Sequence, residues 1–207
     1  MTGVNGLSKS FGGKKIIDNL SFSFEDGRVY ILSGASGSGK TTLLSILAGI
    51  DRDYEGSVTK GSTSFAFQGG NLPPWLDCAE NTLLASPKKP RQEAEALLSE
   101  LGIDDPGMYP TELSGGMKIR VGLARALFRD ADLYLLDEPF AGLDSASITL
   151  VSEVIKRRTA GKTVIAVVHD SVDIEGVFEG TRLIIPSSPL SELIEADRRG
   201  DSEGNQI

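Results

Sequence analysis

Three short runs of the chain are apolar without a break: residues 29–32, 133–136 and 164–168, each four or five residues long. A strand that alternates apolar and polar residues keeps one face wet, whereas an unbroken run is the pattern of a strand covered on both faces, as in the middle of a parallel sheet. Between these runs the apolar period becomes helical. Leu43, Leu44, Leu47 and Ile50 form one stripe, and Ala94, Leu97, Leu98 and Leu101 a second. Val121, Ala124, Leu127 and Phe128 form a third, and Ile148, Val151, Val154 and Ile155 a fourth. Each stripe gives a helix one face to bury. Ahead of the first run the pattern is shorter: residues 4–7, 16–17 and 21–24, the last with Phe22 and Phe24 alternating, are separated by Phe11-Gly12-Gly13 and Glu25-Asp26-Gly27. That spacing predicts antiparallel strands joined by tight turns.

Buried strands alternating with amphipathic helices predict an α/β fold with a mostly parallel sheet. Residues 1–28 read as an N-terminal antiparallel β subdomain, and 29–70 with 113–186 as the α/β core. Gly49 stops the first helix, 51–56 reads as a polar turn, and 64–67 as a strand ending at Gln68. From there the character changes. Gly69, Gly70, Pro73 and Pro74 bar regular structure around the only tryptophan, Trp75, and two helical stretches follow before Pro106 and Pro110. Residues 71–112 therefore read as a small helical insertion, 182–185 as a further strand, and 187–207 as a polar tail that frays from Arg198.

Composition narrows the partners. A chain of 207 residues with 40% apolar content buries one α/β core and a small subdomain, not two full domains. A net charge of −8 argues against nucleic acid, which needs a basic face. The single cysteine, Cys78, excludes an internal disulfide and reads as a half-buried thiol without a role. No secretory signal opens the sequence, and the apolar runs are too short to cross a bilayer, so work at a membrane requires another chain to hold this one there.

The chemistry is concentrated in Gly34-Ala35-Ser36-Gly37-Ser38-Gly39-Lys40-Thr41-Thr42, a complete G-x-x-x-x-G-K-[ST] loop placed between a predicted strand and a predicted helix. Its glycines let successive backbone N–H groups turn inward on phosphate oxygens, and the helix adds the positive end of its dipole. Lys40 then reaches the β and γ phosphates of a nucleoside triphosphate, and the Thr41 hydroxyl suits Mg²⁺. The fold class thereby becomes a P-loop NTPase core. Asp137 and Glu138 stand at the end of the second apolar run, where open α/β sheets place their ligands. Asp137 fits the Mg²⁺ shell and Glu138 the general base that polarises water for attack on the γ phosphorus. Other residues admit two readings. Ser114-Gly115-Gly116 is either a capped helix start or a second anion site. Phe11 either packs under its turn or serves a ligand, and His169 is either structural or a contact to the γ phosphate.

The order of these motifs, with Leu113 to Gly116 ahead of Leu135-Leu136-Asp137-Glu138-Pro139, then Leu143-Asp144 and His169-Asp170, resembles the ATP-binding cassette ATPases over nearly the whole chain. The resemblance implies an ATPase whose two subunits face each other head to tail. Each ATP then lies between the phosphate loop of one subunit and Ser114, Gly115 and Gly116 of the other. It further implies that Phe11 stacks on adenine, that Gln68 meets Mg²⁺ and the attacking water, that Asp144 touches the opposite subunit, and that His169 is the switch histidine. Met117 and the stretch Leu72-Pro73-Pro74-Trp75-Leu76 resemble importer ATPases of the nitrate, sulfonate and taurine type, a group that also includes carriers of vitamin precursors. Gly69-Gly70 departs from the bulkier pair of that group. The implied partners are a transmembrane permease, a second ATPase subunit and, indirectly, an extracytoplasmic substrate-binding protein. The implied place is the cytoplasmic face of the membrane. The competing readings are an exporter subunit or a cassette ATPase acting on nucleic acid or ribosomes; the second calls for a coiled-coil insertion or a second cassette, and the sequence contains neither.

Overall fold

The computed structural model describes residues 1–169 and 172–196. Asp170 of the predicted His169-Asp170 pair, and the polar tail from Asp197 onward, lie outside the described residues. Strands β1 (Thr2–Phe11), β2 (Lys14–Phe24), β3 (Val29–Ser33), β4 (Glu55–Thr59) and β5 (Thr63–Ala66) come first, with helix α1 (Lys40–Ala48) between β3 and β4. A helical segment comes next, with α2 (Cys78–Leu83), α3 (Arg91–Glu100) and a 3-10 turn at Pro110–Glu112. Then come α4 (Gly115–Phe128), β6 (Leu133–Asp137), α5 (Ser145–Arg158), β7 (Thr163–Val167), β8 (Thr181–Ile184) and β9 (Ile194–Glu195).

Two sheets divide these strands. The larger has the order β5-β6-β7-β3-β8-β9, with every neighbouring pair parallel except β8 and β9. The unbroken apolar runs are its centre: all five residues of β6 and all five of β7 are buried. Because side chains alternate across a strand, Tyr30, Leu32, Leu133, Leu135, Ile165 and Val167 face one side, where they meet α1 and the inner face of the smaller sheet. Ile31, Tyr134, Leu136, Val164 and Ala166 face the other, against α4, α5 and the helical segment. Leu43, Leu44, Ile46 and Leu47 of α1 are at most 1% exposed, each burial stabilising by about 1.5–3 kcal/mol.

The smaller sheet is antiparallel, with the order β2-β1-β4. Two expectations change here. Residues 16–17 and 21–24 are parts of one strand, β2, whose pairing with β1 shifts register near Asn19, a residue with φ +51°. A bulge of this kind lets one strand read as two patches. The expected polar turn also ends earlier: from Glu55 the chain is the edge strand β4, with Val58 paired to Val4. Cys78 is likewise fully buried, not half-buried; its thiol meets the Met108 carbonyl oxygen at 3.2 Å, and burial chiefly pushes its pKa up to about 11.

The helical segment shares a buried apolar core with α4 and α5 through Ala79, Ala94, Leu97 and Leu98, and two contacts at its borders add to that packing. On the outer surface Glu100, at the end of α3, accepts from Arg157 and Arg158 at the end of α5, both at 2.8 Å. On the inner side the loop after β5 lies directly on α4. A Cβ added to Gly70 would stand 2.2 Å from the Lys118 carbonyl oxygen, and one added to Gly122 would stand 2.5 Å from the Gly70 Cα. Arg125, on the same helix, donates to the Gly70 and Asn71 carbonyls at 2.7 and 3.1 Å. Backbone therefore rests on backbone, a contact open only to glycine at both positions.

Candidate functional site

Strand order builds the site. β6, β7 and β3 are neighbours, so the groups just beyond their C-terminal ends converge: Glu138 after β6, His169 after β7 and the loop 34–39 after β3. Gln68 comes after β5, the next strand out. These groups line a cavity of about 330 Å³ together with Phe11, Ile16, Ser36, Gly37, Gly39, Lys40, Thr41, Thr42 and Val167. Gly39 has φ +100° and caps α1 with no side-chain bond, and a Cβ there would come within 3.2 Å of the Ile16 carbonyl oxygen. Only glycine turns the chain into the helix at this point while leaving the first N–H groups of α1 open to an anion.

The polar contacts inside the cavity are specific. Lys40 Nζ curls over the loop and donates to the carbonyls of Gly34 at 2.6 Å and Ala35 at 2.9 Å, with Ser38 Oγ at 3.5 Å. The Thr41 hydroxyl donates to Asp137 Oδ1 at 3.3 Å. Asp137 is buried, and burial raises its pKa; the Glu138 charge adds to the rise, while the Thr41 bond and Lys40 oppose it. Glu138 Oε2 accepts from Gln68 Nε2 at 2.8 Å, and the Glu138 backbone, at φ +53°, donates to the Val167 carbonyl at 3.0 Å. The left-handed backbone turns this carboxylate from the line of β6 toward the cavity that the phosphate loop also lines.

A buried carboxylate disfavoured by desolvation, beside a hydroxyl and a side-chain amide, is a set of hard oxygen donors that suits Mg²⁺. Among the described residues there is no group of three or more His, Cys, Asp or Glu that could hold a metal. An ion here would therefore rely on one carboxylate, one hydroxyl and one side-chain amide from the chain, with phosphate oxygens and water as its remaining ligands.

Four residues expected to bind the cofactor are elsewhere. Ser114, Gly115, Gly116 and Asp144 line a second cavity, of about 660 Å³, with Gly69, Lys118, Arg120 and Leu143. Ser114 caps α4, its Oγ accepting from the Met117 N–H at 3.2 Å. Asp144 caps α5, where the bond from the Ser147 backbone holds its carboxyl below the usual range. A Cβ on Gly115 would meet nothing within 4 Å, so nothing among the described residues requires a glycine there. Trp75 is 73% exposed at the tip of the proline loop. Sequence reasoning passed over Ile16 and Val167, whose apolar side chains give no chemical signal. It also passed over Lys9, whose signal is a lysine two residues before Phe11 in the covered row of β1.

The chain is similar to several known proteins. A family model described as ABC transporter matches residues 17–141. The aliphatic sulfonates import ATP-binding protein SsuB 1 of Streptomyces avermitilis is 46% identical over 208 residues, covering 96% of this chain and 78% of that protein. The corresponding SsuB 2 of Paracoccus denitrificans is 44% identical over 174 residues, covering 81% of this chain and 70% of that protein. Among solved structures, the dimeric form of the bacterial cassette MJ0796 superposes with a TM-score of 0.81 at 27% identity, covering 97% of this chain and 100% of that one. A dimeric post-hydrolysis state of the same cassette bound to ADP and Pi gives the same values.

Proposed function

The chain belongs to the ABC transporter family of ATPases, and from that premise we propose that it powers the import of an aliphatic sulfonate or a related small anion through a separate membrane permease. The names of its relatives support the cargo class, and the absence, among the described residues, of any helix long and apolar enough to cross a membrane fits a subunit that depends on another chain for its place there. The proposed address is the cytoplasmic face, with an extracytoplasmic binding protein delivering cargo to the permease.

The observation that carries the catalytic reading is the 2.8 Å bond between Gln68 and Glu138 above the phosphate loop. In the proposed mechanism the loop from Gly34 to Thr42 binds the phosphates through its N–H groups, and Lys40 leaves its carbonyl contacts for the β and γ oxygens. Thr41, Asp137 and Gln68 would hold Mg²⁺, which would supply charge neutralisation on those oxygens. Glu138 accepts a proton from the attacking water, Gln68 orients that water, and His169 contacts the γ phosphate. Phe11, at 52% exposure, carries the adenine. Ser114, Gly115, Gly116 and Asp144 act on the nucleotide of a second subunit. The open surface at Gly115 supports that arrangement, because its bareness serves no contact among the described residues.

Replacing Glu138 tests the chemistry. Glu138→Gln should retain ATP affinity while turnover falls by about two to four orders of magnitude, the scale of a lost general base. Wild-type turnover would remove the assignment. The cargo is tested by uptake of a radiolabelled alkanesulfonate into vesicles carrying this subunit with its permease, with nitrate as the competing solute.

A further inference from the structure

In β1 the covered row runs through Leu7 and Lys9 and continues, beyond the sheet's cover, to Phe11. A lysine in such a row is costly, since its ammonium must leave water. The Lys9 side chain is only 3% exposed. Its Nζ donates to Asp51 Oδ1 at 3.0 Å, to Asp53 Oδ2 at 3.3 Å and to the Asp53 carbonyl oxygen, so the turn between α1 and β4 grips it from three directions. Burial works against the charge, yet the hydrogen bonds to Asp51 and Asp53 outweigh it and raise the pKa above the ordinary lysine value. The same Nζ stands over the Phe11 ring, 4.6 Å from its centroid.

The ring needs such a hold. Phe11 ends its strand at the Gly12-Gly13 turn and borders two spaces, the cavity over the phosphate loop and a neighbouring groove of about 560 Å³ that also touches Thr41, Thr42 and Asp51. An aromatic at a hairpin end with no cover would have several rotamers open to it, and a ligand would have to select one. A cation fixed over one face selects in advance.

We infer that Lys9, gripped by Asp51 and Asp53, is a positioning residue for nucleotide binding that acts through Phe11, holding the ring as a preset platform for the base of ATP. This rests on the reading of Phe11 as the base platform. The asymmetry of the ligand makes the inference testable: Lys9 touches the base end of the site and none of the phosphate end.

The experiment measures affinity for Mg-ATP and for Mg-tripolyphosphate, which has no base, by titration calorimetry. Lys9→Met should weaken ATP binding about three- to tenfold, as loss of a partly desolvated cation–π contact predicts, and leave tripolyphosphate binding unchanged. The loss should disappear when Lys9→Met is made in a Phe11→Ala background, and Lys9→Arg, whose guanidinium also sits over aromatic faces, should restore affinity. Should Lys9→Met fail to fold, Asp51→Asn keeps the acceptor for the Asp53 N–H while loosening the grip, and should show the same pattern to a smaller degree. Equal losses for both ligands, or the same loss with and without Phe11, would overturn the inference by giving Lys9 a purely structural role. A Phe11→Ala protein that binds ATP like wild type would overturn the platform reading itself, and the inference with it. A Phe11→Ala protein that binds ATP weakly beside a Lys9→Met protein that binds it normally would overturn the inference alone.

Discussion

At the scale of single residues, the site is built from groups placed where the folded chain disfavours them. Glu138 holds a left-handed backbone, a strain of about 1–3 kcal/mol for a residue that is not glycine, and Asp137 beside it is buried with its pKa raised. The sign of the second effect gives a test. A carboxyl whose pKa is higher in the fold than in the unfolded chain makes the fold lose stability as pH rises through that interval, and the loss persists at neutral pH. Asp137→Asn removes the charge, so its thermal midpoint at pH 7 should exceed that of wild type by on the order of a few degrees, while turnover is lost. The two midpoints should converge as the pH is brought below the ordinary carboxylate range; a variant less stable than wild type at pH 7 would contradict the account. Lys40, Thr41, Asp137 and Glu138 were legible from sequence because motif spacing next to an apolar run fixes the backbone that presents them. Lys9 was not, because its role comes from a turn some 42–44 positions away.

At the scale of elements, legibility followed how much of each element is buried. β3, β6 and β7 and the four striped helices announce themselves through apolar period, since two covered faces or one covered stripe dictate the residues; Ile50, expected on the first stripe, is the exception, because Gly49 ends α1 and leaves it exposed. β4 does not: four of its five residues are exposed, so an edge strand looks like a polar turn. The short loop after β5 shows a different limit. Two adjacent glycines read as punctuation, whereas Gly70 and Gly122 are the two sides of one backbone contact. Gly122→Ala should therefore destabilise the fold by about 1–3 kcal/mol, the usual effect of overpacking, measured as a shift of the urea midpoint. It should also lower turnover, because the displaced loop carries Gln68 away from Glu138. A variant with wild-type stability and activity would mean that loop and helix are not held in register by this contact.

At the scale of the whole molecule, the phosphate loop and the Ser114 turn open on separate cavities of one chain. The proposed head-to-tail pairing of two subunits gives each cavity a use, and mixing defective subunits tests it. Lys40→Ala and Gly115→Asp should each be inactive alone. Combined in equal amounts they should recover about a quarter of wild-type turnover, since half of randomly formed pairs regain one of two sites. No recovery would argue against composite sites. This level was beyond the reach of periodicity and spacing, because a partner leaves its trace only as a surface with no internal reason for its shape, such as Gly115. Two contacts at the borders of the helical segment differ in kind. The pair of arginines on Glu100 is ionic and faces water, whereas the Gly70–Gly122 contact is steric and dry. Dissolved ions screen the first and leave the second untouched. Concentrated salt should therefore loosen only the ionic clasp at the surface, while the apolar packing of the helical segment on α4 and the glycine contact at its root keep it in place.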